Sequence, residues 1–339
     1  MTETIPRATA RVANEIAKGD GVTRLLILFP GQGSQSAGMA EYLWEYPTAR
    51  QTFTEASELL GWDIGELCRH GTMEELTRTD RTQLTILTCS VAVWRLLEER
   101  GVSFSVAAGH SLGEYSALVA TGHLTFPDAL KVVEQRGRAM KACGEERGGT
   151  MAAVIGLDDA VIDEVCESVG DVWPANFNAP GQIVISGAVE AVGKAGELAL
   201  ERGAKRVLPL KVGGAFPTPL MAGAADTLAK ALSEVTFFAG DRGEGGQTGK
   251  GSFFSTTEVR YPEPGELAEV LARQLMSPVR FTQSMQAILA GPDAPDQALE
   301  VGPGGALSGL IKRIAPDVPA AATKDADTLQ RAFEAHAAR

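Results

Sequence analysis

Apolar runs of membrane length are missing from this sequence. Nowhere do about 18 consecutive apolar residues occur, the least that a helix crossing a bilayer needs. Met1 to Asp20 carries Arg7, Arg11, Glu15, Lys18 and Asp20 where a secretory signal requires an apolar stretch. The expectation is a chain that stays in the cytoplasm and off the membrane. Cysteine is scarce: Cys68, Cys89, Cys143 and Cys166 are scattered with no CxxC spacing, so reduced thiols are expected and a zinc or other metal site is not. Positive charge is in deficit, with 31 Lys and Arg against 43 Asp and Glu and a formal net charge of -12. That balance disfavours a general nucleic-acid surface, which needs clustered cations. The basic doublets Lys205-Arg206 and Lys312-Arg313 read by default as solvated surface charge, with a local patch for an acidic partner as the alternative.

What is present suits one enzyme-sized body. A chain of 339 residues, 44% hydrophobic, can bury one large core or a large core with a smaller one. Leu25 to Phe29 reads as a buried strand closed by Pro30-Gly31. Gln83 to Glu99 has helical spacing, with Leu84, Leu87, Val91 and Trp94 on one stripe. Val102 to Ala108 reads as a strand running into Gly109-His110-Ser111-Leu112-Gly113, and Leu112 to Ala120 as the helix that follows. Between Met151 and Val212 the rhythm changes to strand 151–156, helix 158–169, strands 172–176 and 182–186, helix 189–202 and strand 206–211. That βαββαβ order is ferredoxin-like and predicts a small antiparallel subdomain inserted into a larger α/β body, with a cleft between them. Asp241 to Ser252 is rich in glycine and charge and reads as a surface loop; no strand runs into it and no GKS or GKT helix start follows Lys250, which excludes a P-loop. Beyond Pro316 the Ala-rich, charged tail predicts a peripheral helix or a frayed end.

The chemistry centres on Gly109-His110-Ser111-Leu112-Gly113. It fits G-x-S-x-G with the strand before and the helix after that the motif requires. Small flanking residues allow a sharp turn that presents the Ser111 hydroxyl, and the new helix offers free N–H groups and a positive dipole end to a developing oxyanion. Ser111 is the expected nucleophile, and the Leu112 amide an oxyanion donor. His110, adjacent on a sharp turn, points away from the serine and reads as a structural hydrogen-bonding residue rather than as its base.

Five segments in order carry a family resemblance. Phe29-Pro30-Gly31-Gln32-Gly33-Ser34-Gln35, Gly109 to Ala117, Gln135-Arg136-Gly137 with Met140, Asn176 to Gln182 and Glu300-Val301-Gly302-Pro303-Gly304 resemble the successive signatures of malonyl-CoA:acyl-carrier-protein transacylases, including the acyltransferases of polyketide synthases. The resemblance runs from about Leu25 to about Pro316. It implies an α/β-hydrolase-like large domain, discontinuous over residues 1–149 and 213–339, holding a ferredoxin-like subdomain over residues 150–212. It also implies transfer of a malonyl-type group from coenzyme A to the phosphopantetheine thiol of an acyl carrier protein through acyl-Ser111, with coenzyme A thioester as substrate and no bound cofactor. Gln32 would supply the second oxyanion N–H, Arg136 would fork onto the malonyl carboxylate, and Gln83 would line the same pocket. Leu112 and Phe216 are similar to the malonyl-preferring pattern, with Phe216 filling the space beside the α-carbon; one methylene is worth about 1–3 kcal/mol of such a preference.

The sequence departs from the resemblance at one position. In Gly214-Ala215-Phe216-Pro217-Thr218-Pro219-Leu220-Met221, Pro217 stands where the family's general-base histidine is expected. Proline has neither a proton acceptor nor a backbone N–H, and loss of a triad base leaves a residual catalysis of about 10³ to 10⁴ over water. His70 and His123 lie in no motif that would make either a substitute. The family's orienting acceptor for that histidine, a backbone carbonyl near Gln274, would be idle. Two rival readings remain: a hydrolase that clears acyl groups from carrier proteins, against which Arg136 argues, and an inactive carrier-protein-binding homologue.

Overall fold

The structure, a computed structural model, describes residues 24–240, 251–292 and 294–336. Its strands are β1 (Leu25–Phe29), β2 (Val106–Gly109), β3 (Thr150–Ile155), β4 (Val172–Ala179), β5 (Gln182–Gly187), β6 (Arg206–Pro209), β7 (Ser252–Phe254), β8 (Gln297–Glu300) and β9 (Ala320–Ala322). They form two sheets. The larger has the order β7-β2-β1-β8-β9, and every neighbouring pair in it is parallel. β1 sits at its centre with all five residues buried, which is why Leu-Leu-Ile-Leu-Phe shows no alternation: a parallel strand covered on both faces has no wet side.

Helix Thr79–Glu99 packs against helices Pro47–Leu60 and Phe126–Arg147 and begins four residues before the expected Gln83. Almost its whole circumference is buried, Thr82, Gln83, Thr85, Thr88 and Ser90 included, so its apolar stripe marks only part of the surface it hides. The strand expected from Val102 starts at Val106 instead. Residues 101 and 102 are still closing the preceding helix, the Val102 amide donating to the Leu97 carbonyl at 3.0 Å, and ladder pairing begins only when Ser105 N donates to Leu25 O at 2.9 Å.

The smaller sheet is antiparallel with order β4-β5-β3-β6 and carries helices Asp159–Val169 and Val189–Glu201, the βαββαβ order expected. It has its own core, built by Val154, Ile162, Val165, Ile183, Ile185 and Val192 among others. β6 stops at Pro209 rather than Lys211, as an exposed edge strand. The small sheet is also stitched to the large body away from its chain ends: Phe177 N donates to Val279 O and Val279 N to Ala175 O, both at 2.8 Å, and Thr282 Oγ1 donates to Phe177 O at 3.1 Å.

Of the two alternatives for the tail, the helix is the one found: Ala326–His336 is helical and buries Leu329, Ala332 and Phe333, and the unexpected strand β9 before it extends the large sheet beside β8. Small alanines pack on a sheet edge without producing a recognisable apolar period. Of the glycine-rich loop, residues 241–250 lie outside the described residues, but Ser252 begins β7, a strand too short to announce itself. Met1 to Asp20 also lies outside the described residues.

Candidate active site

The elbow is enforced by steric contact. A Cβ on Gly109 would lie 2.0 Å from the Gly113 carbonyl carbon, one on Gly113 would lie 2.0 Å from the Phe29 oxygen, and one on Gly31 would lie 2.3 Å from the His110 oxygen. Glycine is therefore required where β1, β2 and helix Gly113–Ala120 converge. Ser111 takes φ 51°, a left-handed conformation that costs a non-glycine residue about 1–3 kcal/mol and persists only where its surroundings impose it. Gly113 N to His110 O at 3.0 Å and Glu114 N to Ser111 O at 2.9 Å hold the turn. Leu112 is the N-cap of the elbow helix, so its amide belongs to the N–H groups with no partner inside the helix.

A cleft of about 240 Å³ opens over the serine, and Gln32, Ser111, Leu112, Arg136, Phe216 and Pro217 line it. Six of the eight expected site residues thus meet in one cavity. Gln83 and Gln274 stand behind Arg136 instead of in the wall. Arg136 is 2% exposed; its Nη1 donates to Gln83 Oε1 at 2.5 Å, and its Nη2 donates to Ser111 Oγ and to Gln274 Oε1, each at 3.1 Å. Burial pulls the guanidinium's pKa down from its usual value, while Tyr115 and Glu114 hold it up. An arginine has so much margin that the group remains a cation.

His110 has the structural role expected of it. Its Nε2 lies 2.8 Å from Asn178 Oδ1, at the end of β4, and its ring packs against Phe281. Burial lowers its pKa, so near neutrality the imidazole is uncharged. Pro217 is buried in the cleft wall after a cis peptide bond from Phe216, and the next residue docks on the segment following helix Leu267–Arg273, with Thr218 N donating to Leu275 O at 3.2 Å. His123 sits beyond the C-terminal end of the eight-residue elbow helix, its Nδ1 2.7 Å from Thr121 Oγ1, roughly 12 Å of helix away from the serine. His70 is half-exposed, 4.0 Å from Glu41 and from Glu66. The hydrogen bond that the Ser111 hydroxyl makes to Arg136 is one it accepts, and no imidazole stands ready for its proton among the described residues.

Sequence reasoning gave Gln274 only a backbone role, but its side chain is fully engaged. Nε2 donates to Ser111 O at 3.0 Å and to Glu114 Oε2 at 2.7 Å, while Oε1 accepts from Arg136. Glu114 itself was missed, although an acidic residue in the first turn of the elbow helix is a readable signal. Met151, Asn176 and Lys211 complete part of the wall; they come from the small sheet and its exit, which no local pattern places near the serine.

A strained serine between a parallel strand and a helix, with free amides beside it and a buried cation against its hydroxyl, defines an α/β enzyme of the acyl-transferring class. Comparison with known proteins gives the family. The model of the acyl transferase domain matches residues 26–322, and the chain belongs to that family of acyltransferases. It is 42% identical over 318 residues to the malonyl CoA-acyl carrier protein transacylase of Salmonella typhimurium, covering 92% of this chain and 99% of that one. Against the Bacillus subtilis protein of the same name the identity is 39% over 318 residues, with 92% and 97% covered. Among solved structures, an acyl carrier protein S-malonyltransferase from Vibrio cholerae superposes with TM-score 0.85 at 42% identity, covering 91% of this chain and 99% of that chain. A malonyl-transacylase solved in complex with its type II PKS acyl-carrier protein superposes with TM-score 0.86 at 41% identity, covering 92% and 100%.

Proposed function

We propose that this chain transfers a malonyl group from coenzyme A to the phosphopantetheine thiol of an acyl carrier protein through an ester on Ser111, at a rate limited by Pro217. The observation that carries this reading is the buried Arg136 guanidinium 3.1 Å from Ser111 Oγ. A permanent cation at that point suits an acyl group with a free carboxylate at its far end and has no use for a simple acyl chain. Ser111 Oγ attacks the thioester carbonyl, the tetrahedral oxyanion is met by the amides of Leu112 and Gln32, and the C–S bond breaks to release coenzyme A. The carrier thiol then repeats the sequence on the ester, returning the hydroxyl proton to Ser111. The large domain and the insertion 150–212 supply the two walls between which this happens, Arg136 and Phe216 on one side and Met151 and Asn176 on the other.

Pro217 stands where the family's general-base histidine is expected, so in this reading the serine proton leaves to solvent or to the departing sulfur. Both half-reactions are slow, and residual turnover rests on binding and the oxyanion amides, about 10³ to 10⁴ over water. Incubating the protein with labelled malonyl-CoA, with and without carrier protein, tests the reading. Label on the carrier protein supports it; release of free malonate points to a hydrolase, and absence of both to a binding protein.

A further inference from the structure

Inside the large body, beneath the cleft, lies a carboxylate that the mechanism does not use. Glu114 is fully buried, and the groups around it give to it. Its Oε1 accepts from the amides of Thr256 at 2.6 Å and Thr257 at 3.3 Å and from Ser255 Oγ at 3.2 Å; Oε2 accepts from Gln274 Nε2 at 2.7 Å. The Ser255 hydroxyl already accepts from the amides of Thr257 and Glu258, so its proton is left for the carboxylate. Thr256 Oγ1 lies 3.0 Å from the same Oε1 and 2.7 Å from the Gly109 carbonyl, tying this shell to the end of β2.

The consequence falls on Gln274. A side-chain amide has one accepting and one donating end and can be placed either way round. Here Glu114 faces one end and accepts from it, while Arg136 faces the other and can only donate. Both neighbours demand the same orientation, NH2 toward Glu114 and oxygen toward Arg136, and the oxygen then fixes one Nη2 hydrogen of the arginine at 3.1 Å. The other Nη2 hydrogen is left on Ser111 Oγ.

We infer that Glu114 is a positioning residue for acyl selection: through the Gln274 amide it aims the Arg136 guanidinium at the serine and sets the preference for carboxylate-bearing acyl groups. This rests on the reading of Arg136 as the carboxylate-binding group. Glu114→Gln keeps the size and shape but supplies a donor of its own, so the Gln274 amide can turn its NH2 toward Arg136. Two donors then face each other, and the guanidinium is pushed off its line.

The test is single-turnover loading of the full chain by malonyl-CoA and by acetyl-CoA, followed by intact mass, with the selectivity ratio as the readout. Loss of a charge-assisted hydrogen bond corresponds to about a tenfold or greater fall in that ratio for Glu114→Gln, because malonyl loading drops more than acetyl loading. A structural role alone would lower both together and leave the ratio unchanged, which would overturn the inference. Gln274→Met, which removes the amide without adding a charge, should lower the ratio in the same way and serves if Glu114→Gln does not fold; an unchanged ratio there would be equally fatal. Arg136→Ala separates the two levels of argument. If it leaves the ratio intact, the carboxylate-binding reading itself fails; if it collapses the ratio and Glu114→Gln does not, only the positioning inference fails. In the Arg136→Ala background Glu114→Gln should cause no further change in the ratio.

Discussion

Gly113→Ala probes the elbow without touching a reacting atom. Its new Cβ would sit 2.0 Å from the Phe29 oxygen and 2.7 Å from the Phe29 carbonyl carbon, both backbone atoms of the central strand, so no side chain can swing aside. An ordinary C···O contact is about 3.3 Å, and the elbow helix must therefore back away from β1 by about 1.3 Å. Overpacking of this kind costs about 3 kcal/mol, the upper end of its usual range, because the strand being pushed is buried on both faces. For a chain of this size that is a fall in Tm of about 4 °C. The same shift carries the Leu112 amide and the Ser111 hydroxyl out of line, and malonyl loading should fall at least about tenfold. Gly193→Ala is the control. It lies within helix Val189–Glu201 with nothing within 4 Å of its added Cβ, and it should raise Tm by about 1 °C. Thermal melts of the three proteins by circular dichroism decide the matter. A Gly113→Ala protein melting within about 2 °C of the parent would refute the close approach on which the elbow argument depends.

Ser111→Ala should abolish the malonyl adduct seen by intact mass, since the elbow hydroxyl is the sole acceptor proposed; an adduct on the variant would displace that assignment. Arg136→Lys retains the cation that balances Glu114 but loses the fork, and malonyl loading should fall about tenfold or more while Tm changes little; unchanged loading would mean that charge alone suffices. Pro217→His should raise transfer to carrier protein by at least about a hundredfold, the low end of general-base catalysis, provided the purified protein shows a parental circular dichroism spectrum; parental kinetics in such a protein would mean that Ser111 already has a base. The pH dependence of stability follows from His110, whose folded pKa is lowered by burial. Between that value and the ordinary one near 6.5 the unfolded chain holds more protons, so stability falls as pH drops below about 6.5. Between pH 7.5 and pH 5.5 the parent should therefore lose more Tm than His110→Gln, and equal losses would show that His110 is not held neutral.

Legibility from sequence followed the range of the interactions. β1, the serine elbow and the βαββαβ run were readable because each is written in consecutive residues: an apolar run, a Gly-x-Ser-x-Gly turn, an alternation of short periods. β7 and β9 were not, because three-residue strands hold no period and exist only through their partners in the sheet. Of the six site residues found in the cleft, Ser111 and Leu112 were legible in the motif itself, while Gln32, Arg136, Phe216 and Pro217 were reached through the family resemblance. Glu114 and the side chain of Gln274 escaped because their meaning lies in a contact across 160 positions of sequence. The basic doublets illustrate the same limit: Arg313, on helix Ala306–Ile314, bonds to Gln182 and to the Pro180 carbonyl, so one member of an apparent surface patch braces the large body against the small sheet.

The stitch between β4 and Val279 bears on kinetics. A small sheet tethered at both chain ends is tied again by paired backbone bonds across its far strand, which brace it against the large body beside the doorway to Ser111. In the proposed transfer the donor thioester and the acceptor thiol both enter by that doorway. A shared doorway makes donor and acceptor competitors for the same space. Turnover should then pass through a maximum as malonyl-CoA rises at fixed carrier protein, because a second malonyl-CoA seated at the doorway of the malonyl-enzyme holds back the carrier thiol that must follow.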